Sequence, residues 1–392
     1  MQDQQQQEQQ RHAIICAGLN CLDLQLLGCT KSGQEEAIEQ YDAAVYCAGG
    51  SAPMAATALC QILGKNEDDA TTTTAASTAD VYILTKLGDD QNGHLMLELM
   101  RQQCGTQATE LCLVDPKVAT AMSVLPIFKT GGRQCFFNLA SNTTYTADDL
   151  IQQLHQLVDK PNTTVDAFLF GYPHLLPKLQ GDNLRNMLAT VRLQFQMVSQ
   201  KRPLIGMDLN GVSAENHNDQ VLGPALEYVD VLHLNEEEAQ ILSGVDNKHD
   251  LMNDPAQLKQ VCHKIHQQGC VLVVLSMGAR GSFLSVTSDA ERLSKSAIAF
   301  LPQLTPDQAC TSPACLIQNE INTNGAGDAL FAAFGWVAAT QSDLTLEQAG
   351  QFASLVAHQR CDTTTRDAPR YKAHQLLDMV KAQHLPPEIV SN

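Results

Sequence analysis

The sequence predicts an α/β fold, a doubly wound and mostly parallel sheet with helices on both faces. Two observations predict it. In the second half, four apolar runs each end in a turn or a polar residue: AFLFGY (Ala167–Tyr172), PLIGMDLN (Pro203–Asn210), VDVLHLN (Val229–Asn235) and VLVVLSMG (Val271–Gly278). The segments between them are long enough to hold helices, and strands that alternate with helices pair in parallel with both faces covered. The second observation is size and composition. With 392 residues, 44% hydrophobic and 17% charged, the chain can bury a large core as one big domain or two smaller ones. In such sheets ligands gather at the carboxyl ends of the strands.

The elements follow in order. MQDQQQQEQQRH, residues 1–12, is a polar Gln tract without an apolar h-region, so it reads as a disordered tail, neither signal peptide nor anchor. AIICAGL (Ala13–Leu19) is a buried-strand pattern ending at Gly18. Gly49–Gly64 reads as two glycines followed by a helix of small residues. Residues 65–80 are low-complexity and polar, a surface insertion. Val81–Asp90 reads as a strand then a turn, and His94–Gly105 has helical periodicity. From Cys112 to Phe137, short alternating runs around Gly131-Gly132 suggest a small antiparallel β element.

Charge and cysteine content exclude several function classes. The 25 Lys and Arg against 43 Asp and Glu leave a net charge of −18, which argues against nucleic-acid binding and against anionic membrane surfaces. No run of about twenty apolar residues occurs, so no membrane span is expected and the default location is cytoplasmic. The thirteen cysteines are scattered singly without a CxxC pair, which fits reduced core thiols better than zinc ligands.

One stretch carries chemistry. In INTNGAGDALFAAFGW (Ile321–Trp336), Gly325, Ala326 and Gly327 leave the backbone uncovered at the start of a helix expected from about Asp328 to Thr340. The first turn of a helix has unpaired N–H groups and a partial positive charge, so the stretch has the makings of a phosphate cradle. Asp328 can accept a proton from a hydroxyl held beside it, and it is expected at the mouth of the site rather than buried. The same residues also fit a plain turn capped by Asp. The stretch is neither a Walker A loop nor a dinucleotide fingerprint, since Leu330 stands where a third glycine is needed.

The stretch resembles the C-terminal signature, DTxGAGD, of the ribokinase-like (PfkB) carbohydrate kinases. Other landmarks of that family appear in sequence order. Gly18 and Asp23 resemble its GxxxxD, Gly49-Gly50 its GG(N) turn, and KLGDDQNG (Lys86–Gly93) its GDDxxG. DLN (Asp208–Asn210), NEEE (Asn235–Glu238) and VVLSMGARGSF (Val273–Phe283) resemble DPN, NxxE and the VTxGxxG strand-turn. The resemblance covers residues 13 to 370.

The resemblance implies a ribokinase-like domain over 13–392 with a small β lid from about 24–48 and 108–140. It implies an ATP-dependent kinase that transfers the γ-phosphoryl group to a sugar hydroxyl. Asp328 would be the general base, and Asn324, Gly325, Ala326 and Gly327 the anion hole. Glu238, with Asn235, would organise Mg²⁺ and the nucleotide phosphates. Ser276, Gly278 and Gly281 would line the nucleotide edge, while Asp23, Gly49 and Gly50 would hold substrate hydroxyls. Lids in this family often dimerise, so a homodimer through the lid is one expectation.

Three positions depart from the family pattern. Asn322 replaces the leading Asp, a position that often helps bind a monovalent cation, so potassium activation is uncertain. Ser51 follows the two glycines in place of the usual Asn, and Met54 occupies a position often held by a substrate-contacting Asn. NTNGAGD is a variant familiar from the adenosine-kinase branch, so a nucleoside acceptor is the nearest alternative. A catalytically silent nucleotide-binding homologue is the other.

Overall fold

The protein is described by a computed structural model over residues 10–30, 38–64, 79–129, 133–158, 160, 162–199, 201–245, 254–317 and 322–385. Its strands are β1 Arg11–Gly18, β2 Cys21–Cys29, β3 Ala43–Gly49, β4 Ala79–Leu84, β5 Lys86–Gly88, β6 Leu113–Asp115 and β7 Met122–Phe128. The later strands are β8 Phe136–Asn138, β9 Thr163–Gly171, β10 Leu204–Asp208, β11 Val231–Asn235, β12 Leu272–Ser276, β13 Ser282–Val286 and β14 Ala309–Ser312. The main sheet has the order β14-β13-β12-β11-β10-β9-β1-β4. From β4 to β12 every neighbouring pair is parallel, and β13 and β14 close one edge antiparallel. The expected doubly wound, mostly parallel sheet is therefore present.

Each strand feeds two cores because side chains alternate across the sheet. Ile14 and Cys16 of β1, Ala167 and Leu169 of β9, and Leu272 and Val274 of β12 face one core. Ala13, Ile15 and Ala17, Phe168 and Phe170, and Val273 and Leu275 face the other. Helices Ser51–Leu63, Gln91–Cys104, Ala326–Thr340, Leu346–Cys361 and Ala373–Ala382 cover the first face. Helices Ala147–Val158, Gly181–Ser199, Glu236–Ser243 and Pro255–His266 cover the second.

The helix Ala326–Thr340 is buried from Asp328 to Ala339 and lies on β9 and β10. Its small residues let it settle close to the sheet. A Cβ on Gly335 would stand 2.6 Å from Leu169 Cδ2, and one on Gly206 of β10 would stand 3.1 Å from the Phe331 ring. The helix begins at Ala326, two residues before the expected start, with Gly325 as its N-cap.

A second, four-stranded sheet has the order β3-β2-β7-β8, with β2 and β7 parallel and the outer pairs antiparallel. A buried asparagine pins the corner between β1 and β2. Asn20 Nδ2 donates to Thr85 Oγ1 (2.8 Å) and Lys86 O (2.7 Å), and Asn142 Nδ2 donates back to Asn20 O (2.9 Å). The small sheet leaves Tyr41, Val45, Tyr46 and Phe136 exposed.

Two expected boundaries move. Arg11 and His12 belong to β1 rather than to the tail, and Ala79 and Asp80 open β4 rather than ending an insertion. Residues 1–9 of the tail, residues 65–78 and the Gly131-Gly132 turn lie outside the described residues. All thirteen cysteines are free thiols. No helix among the described residues is long and apolar enough to cross a membrane. Gly335→Leu should overpack the helix–sheet contact and cost about 1–3 kcal/mol, read as a lowered melting temperature. An unchanged melting temperature would show that Leu169 is not held as described.

Candidate active site

The Asn322–Asp328 loop turns into its helix at the carboxyl ends of the parallel strands. Gly325 takes φ 81°, a left-handed conformation that glycine adopts without strain. Any Cβ there would also collide with Met54 Cε from the helix Ser51–Leu63. Not all the loop amides are available. Asn324 N donates to Asn322 Oδ1 (3.1 Å) and Ala326 N to Thr323 O (3.1 Å). Among the described residues nothing accepts from the amides of Gly325, Gly327 or Asp328. Of the expected set, the amides of Asn324 and Ala326 are thus engaged and those of Gly325 and Gly327 are open, with Asp328 N beside them. The Asn324 side chain is engaged too, accepting from Arg133 Nη1 at 2.7 Å.

Asp328 is 5% exposed, so the expectation of a carboxylate standing at the mouth is corrected: the side chain is buried, while Asn324–Gly327 just before it are half-exposed. Tyr172, at the end of β9, donates its hydroxyl to Asp328 Oδ1 (2.9 Å) and accepts from Asn210 Nδ2 (2.7 Å). Nothing among the described residues donates to Oδ2. Burial, reinforced by the nearby Asp208 carboxylate, raises the Asp328 pKa to about 7, although Tyr172, His233 and Arg360 pull the other way.

Asp208 ends β10 and is also buried. Its Oδ1 bonds to His233 Nδ1 (2.9 Å), while its Oδ2 and His233 Nε2 are buried without a partner. Burial opposes the charge on His233, but Asp208, Glu238 and Asp328 outweigh it and raise the imidazole's proton affinity. The His233 ring lies along Phe331 (centroids 6.0 Å apart), and its Cε1 would stand 3.4 Å from a Cβ on Gly327.

Glu238 and Asn235 form a capping box at the helix Glu236–Ser243. Asn235 Oδ1 accepts from Glu238 N (3.0 Å), and Glu238 Oε2 accepts from Asn235 N (2.8 Å). The Gly211 amide also reaches this carboxylate. Burial, then Asp208, raises its pKa to about 7. Glu238 is thus occupied by backbone amides, and no cluster of three metal-ligating side chains occurs among the described residues.

Ser276 sits beside Asn235 in the β11–β12 register, with its hydroxyl donating to Leu234 O (3.4 Å). Gly278 and Gly281 shape the turn into β13. A Cβ on Gly281 would collide with Ser312 O across the β13–β14 pair. These three residues form one edge of the strand ends, on the side of β12 and away from β1.

Asp23 lies on β2 in the small sheet, not in a turn after β1. Ser123 Oγ of β7 donates to Asp23 Oδ1 (2.6 Å), and the carboxylate presses against Gly49, where a Cβ would collide with it. Burial raises its pKa. Gly50, at φ 88°, caps the helix Ser51–Leu63. Ser51 Oγ is buried without a partner beside Gly18 and Gly171.

Tyr172, His233, Arg360 and Arg366 belong to this site and had no signal in the sequence. Tyr172 ends an apolar run and takes a left-handed φ of 64°, with its hydroxyl on Asp328 Oδ1. Arg360 is in the helix Leu346–Cys361, and Arg366 follows that helix; both meet the loop only in three dimensions.

Comparison with known proteins agrees with the fold. Residues 189–369 match the pfkB family carbohydrate kinase model. Ribokinase from Giardia lamblia aligns with a TM-score of 0.69 at 14% identity, covering 95% of this chain and 99% of that chain. Arabidopsis thaliana ribokinase complexed with ribose and ATP aligns at 0.66 and 16%, with the same 95% and 99% coverage. Xylella fastidiosa fructokinase with bound ATP aligns at 0.63 and 15%, covering 95% and 98%. No curated protein matches the sequence. The chain has the ribokinase-like fold, and over residues 189–369 it matches the pfkB family of carbohydrate kinases.

Proposed function

We propose that the protein is an ATP-dependent kinase that phosphorylates a sugar hydroxyl. The observation that supports this most strongly is the pairing of a buried carboxylate of raised pKa with three uncommitted amides at one helix start. The ATP seen with the Arabidopsis ribokinase and the Xylella fructokinase supports the choice of donor.

The acceptor hydroxyl gives its proton to Asp328 Oδ2 as its oxygen attacks the γ-phosphorus. The bond to the bridging oxygen breaks and ADP leaves. An ordinary carboxylate is a weak base, whereas one with a pKa of about 7 is matched to the operating pH. Tyr172 fixes the rotamer by holding Oδ1, which leaves Oδ2 to meet the hydroxyl. The amides of Gly325, Gly327 and Asp328, with the helix dipole behind them, stabilise charge on the moving phosphoryl. Ser276, Gly278 and Gly281 would border the nucleotide, and Asp23 with Gly49 and Gly50 would hold the acceptor from the small sheet. That sheet would act as a lid that limits access of water to the phosphoryl group.

Mg²⁺ fits beside Asp208, whose Oδ2 is buried with no partner among the described residues. It would be held largely by phosphates and water, with Glu238 and Asn235 positioning that water. When bound, it supplies neutralisation of phosphate charge. The same reading places the protein in the cytoplasm. The apolar residues left bare on the small sheet, Val45 and Tyr46 among them, support a homodimer formed there.

Met54 favours keeping a nucleoside kinase as the second reading. Its methyl lies over Gly325 and its sulfur accepts from Arg360 Nη2 (3.6 Å), so an apolar group stands where a sugar would want a polar one. Turnover of a panel of pentoses and hexoses against adenosine, guanosine and pseudouridine separates the two. ADP release with a sugar is expected, and release with a nucleoside alone would overturn the first reading. No ADP release with any acceptor in the panel would support the silent homologue.

Asp328→Asn should lower kcat by about two to four decades. In the parent protein kcat should rise with pH to a plateau above about 7 as Asp328 loses its proton. Stability should run the opposite way. In the unfolded chain Asp328 ionises near its ordinary 3.8, but in the fold near 7, so the native state holds the extra proton between these values. Its stabilising effect is complete below the lower value and is lost as pH rises through the upper one. Asp328→Asn should therefore melt higher than the parent at pH 8, by on the order of 1–3 kcal/mol, and no higher at pH 3.5. A variant equally or less stable at pH 8 would contradict the buried, raised carboxylate.

A further inference from the structure

The loop that carries Asp328 is tied to a guanidinium. Arg366 Nη1 donates to Asn322 O (3.2 Å) and Arg360 O (3.3 Å), and its Nη2 donates to Asn324 O (2.9 Å). Three backbone carbonyls thus converge on one half-buried cation. Asn322 is otherwise satisfied: its N–H donates to Cys361 O (2.8 Å), and its Oδ1 accepts from Asn324 N (3.1 Å).

A monovalent ion beside position 322 would need these same oxygens, because hard cations take carbonyl and carboxylate ligands. Here the carbonyls are taken, and the residue that could have brought a compensating negative charge is an amide. A second guanidinium, Arg360, lies beside the first and depresses further cation binding by like-charge repulsion. Asp367 is largely exposed and stands 4.0 Å from Arg360 Nη1, and the buried Asp362 gives its Oδ1 to Thr364 N (2.9 Å) and Thr364 Oγ1 (2.7 Å). The donor set does not fit a potassium ion.

We infer that Arg366 is the built-in cation of this loop: its planar fork holds the Asn322–Asn324 backbone against residues 360–366, and the protein needs no monovalent cation to order the phosphate cradle. A guanidinium suits this task because it is permanently charged, weakly hydrated and rigid, and it cannot dissociate from the chain. Arg366 is a positioning residue, since it reaches the loop carbonyls and not the reacting atoms. The effect on nucleotide binding rests on the kinase reading above, whereas the effect on the loop does not.

The test compares the full chain and Arg366→Ala in potassium, sodium and choline chloride at equal ionic strength. Two readouts are taken, the melting temperature and the dissociation constant for a non-hydrolysable ATP analogue. The parent is expected to give the same values in all three salts. Arg366→Ala should bind the analogue about tenfold more weakly in choline, the loss expected from a charge-assisted hydrogen-bond set. Potassium or added methylguanidinium should restore part of that affinity and part of the melting temperature, whereas choline should not. A residue that merely packs would lose equally in every salt and show no such rescue, and that result would overturn the inference. So would a parent protein whose melting temperature or affinity improves in potassium. Should Arg366→Ala fail to fold, Arg366→Lys, which keeps the charge but loses the fork, is measured the same way and should regain potassium sensitivity; salt-independent behaviour of that variant overturns the inference. If no nucleotide binds in any salt, the kinase reading fails, while the melting temperatures still decide the role of Arg366.

Discussion

Two carboxylates, Asp208 and Asp328, are buried near one another at the carboxyl ends of the parallel strands, with a third, Glu238, close behind. Burial and repulsion from Asp208 disfavour the charged forms of Asp328 and Glu238, and among the described residues the one imidazole that pairs with the group, His233, bonds to Asp208. Such a cluster costs stability in isolation. It is tolerated because the elements around it are held elsewhere by two large cores, one on each face of the main sheet. The strain of like charges is concentrated where a polyphosphate and its cation would dock, and a bound cation would relieve it.

The helix Ala326–Thr340 links this electrostatic feature to the fold. Its apolar body is gripped between sheet and helices, and its glycines and alanines let it lie close to β9 and β10. The first turn inherits that rigidity. Gly325 bends the backbone so that some amides point away from the helix, and Tyr172 on β9 sets the carboxylate. Arg366, from beyond the next helix, braces the loop from behind. Catalytic positioning of this kind depends on supports that never touch the substrate.

The strand-helix alternation was legible because buried parallel strands need nearly continuous apolar runs: β10, β11 and β12 lie within their quoted runs, and β9 starts earlier, at Thr163, and ends inside its run. The start of the Asp328 helix was legible from its glycines. The burial of Asp328 was not, since it follows from the packing of its helix on β9 and β10 and from the Tyr172 hydroxyl, which local sequence does not encode. Tyr172 and His233 sat inside apolar runs and looked like core. Arg133, Arg360 and Arg366 meet the loop across long sequence separations, so spacing carries no trace of them. Glu238 looked like a metal ligand by motif, whereas the capping box gives its carboxylate to backbone amides.

The most direct measurement is a crystal structure of the protein with ADP and a fluoroaluminate anion, a mimic of the phosphoryl group in flight. The amides of Gly325, Gly327 and Asp328 should lie within hydrogen-bond distance of the fluoride ligands, with Asp328 Oδ2 facing the open side of the aluminium. An anion bound elsewhere, with those amides turned onto protein acceptors, would contradict the assignment of this helix start as the place where phosphate is transferred.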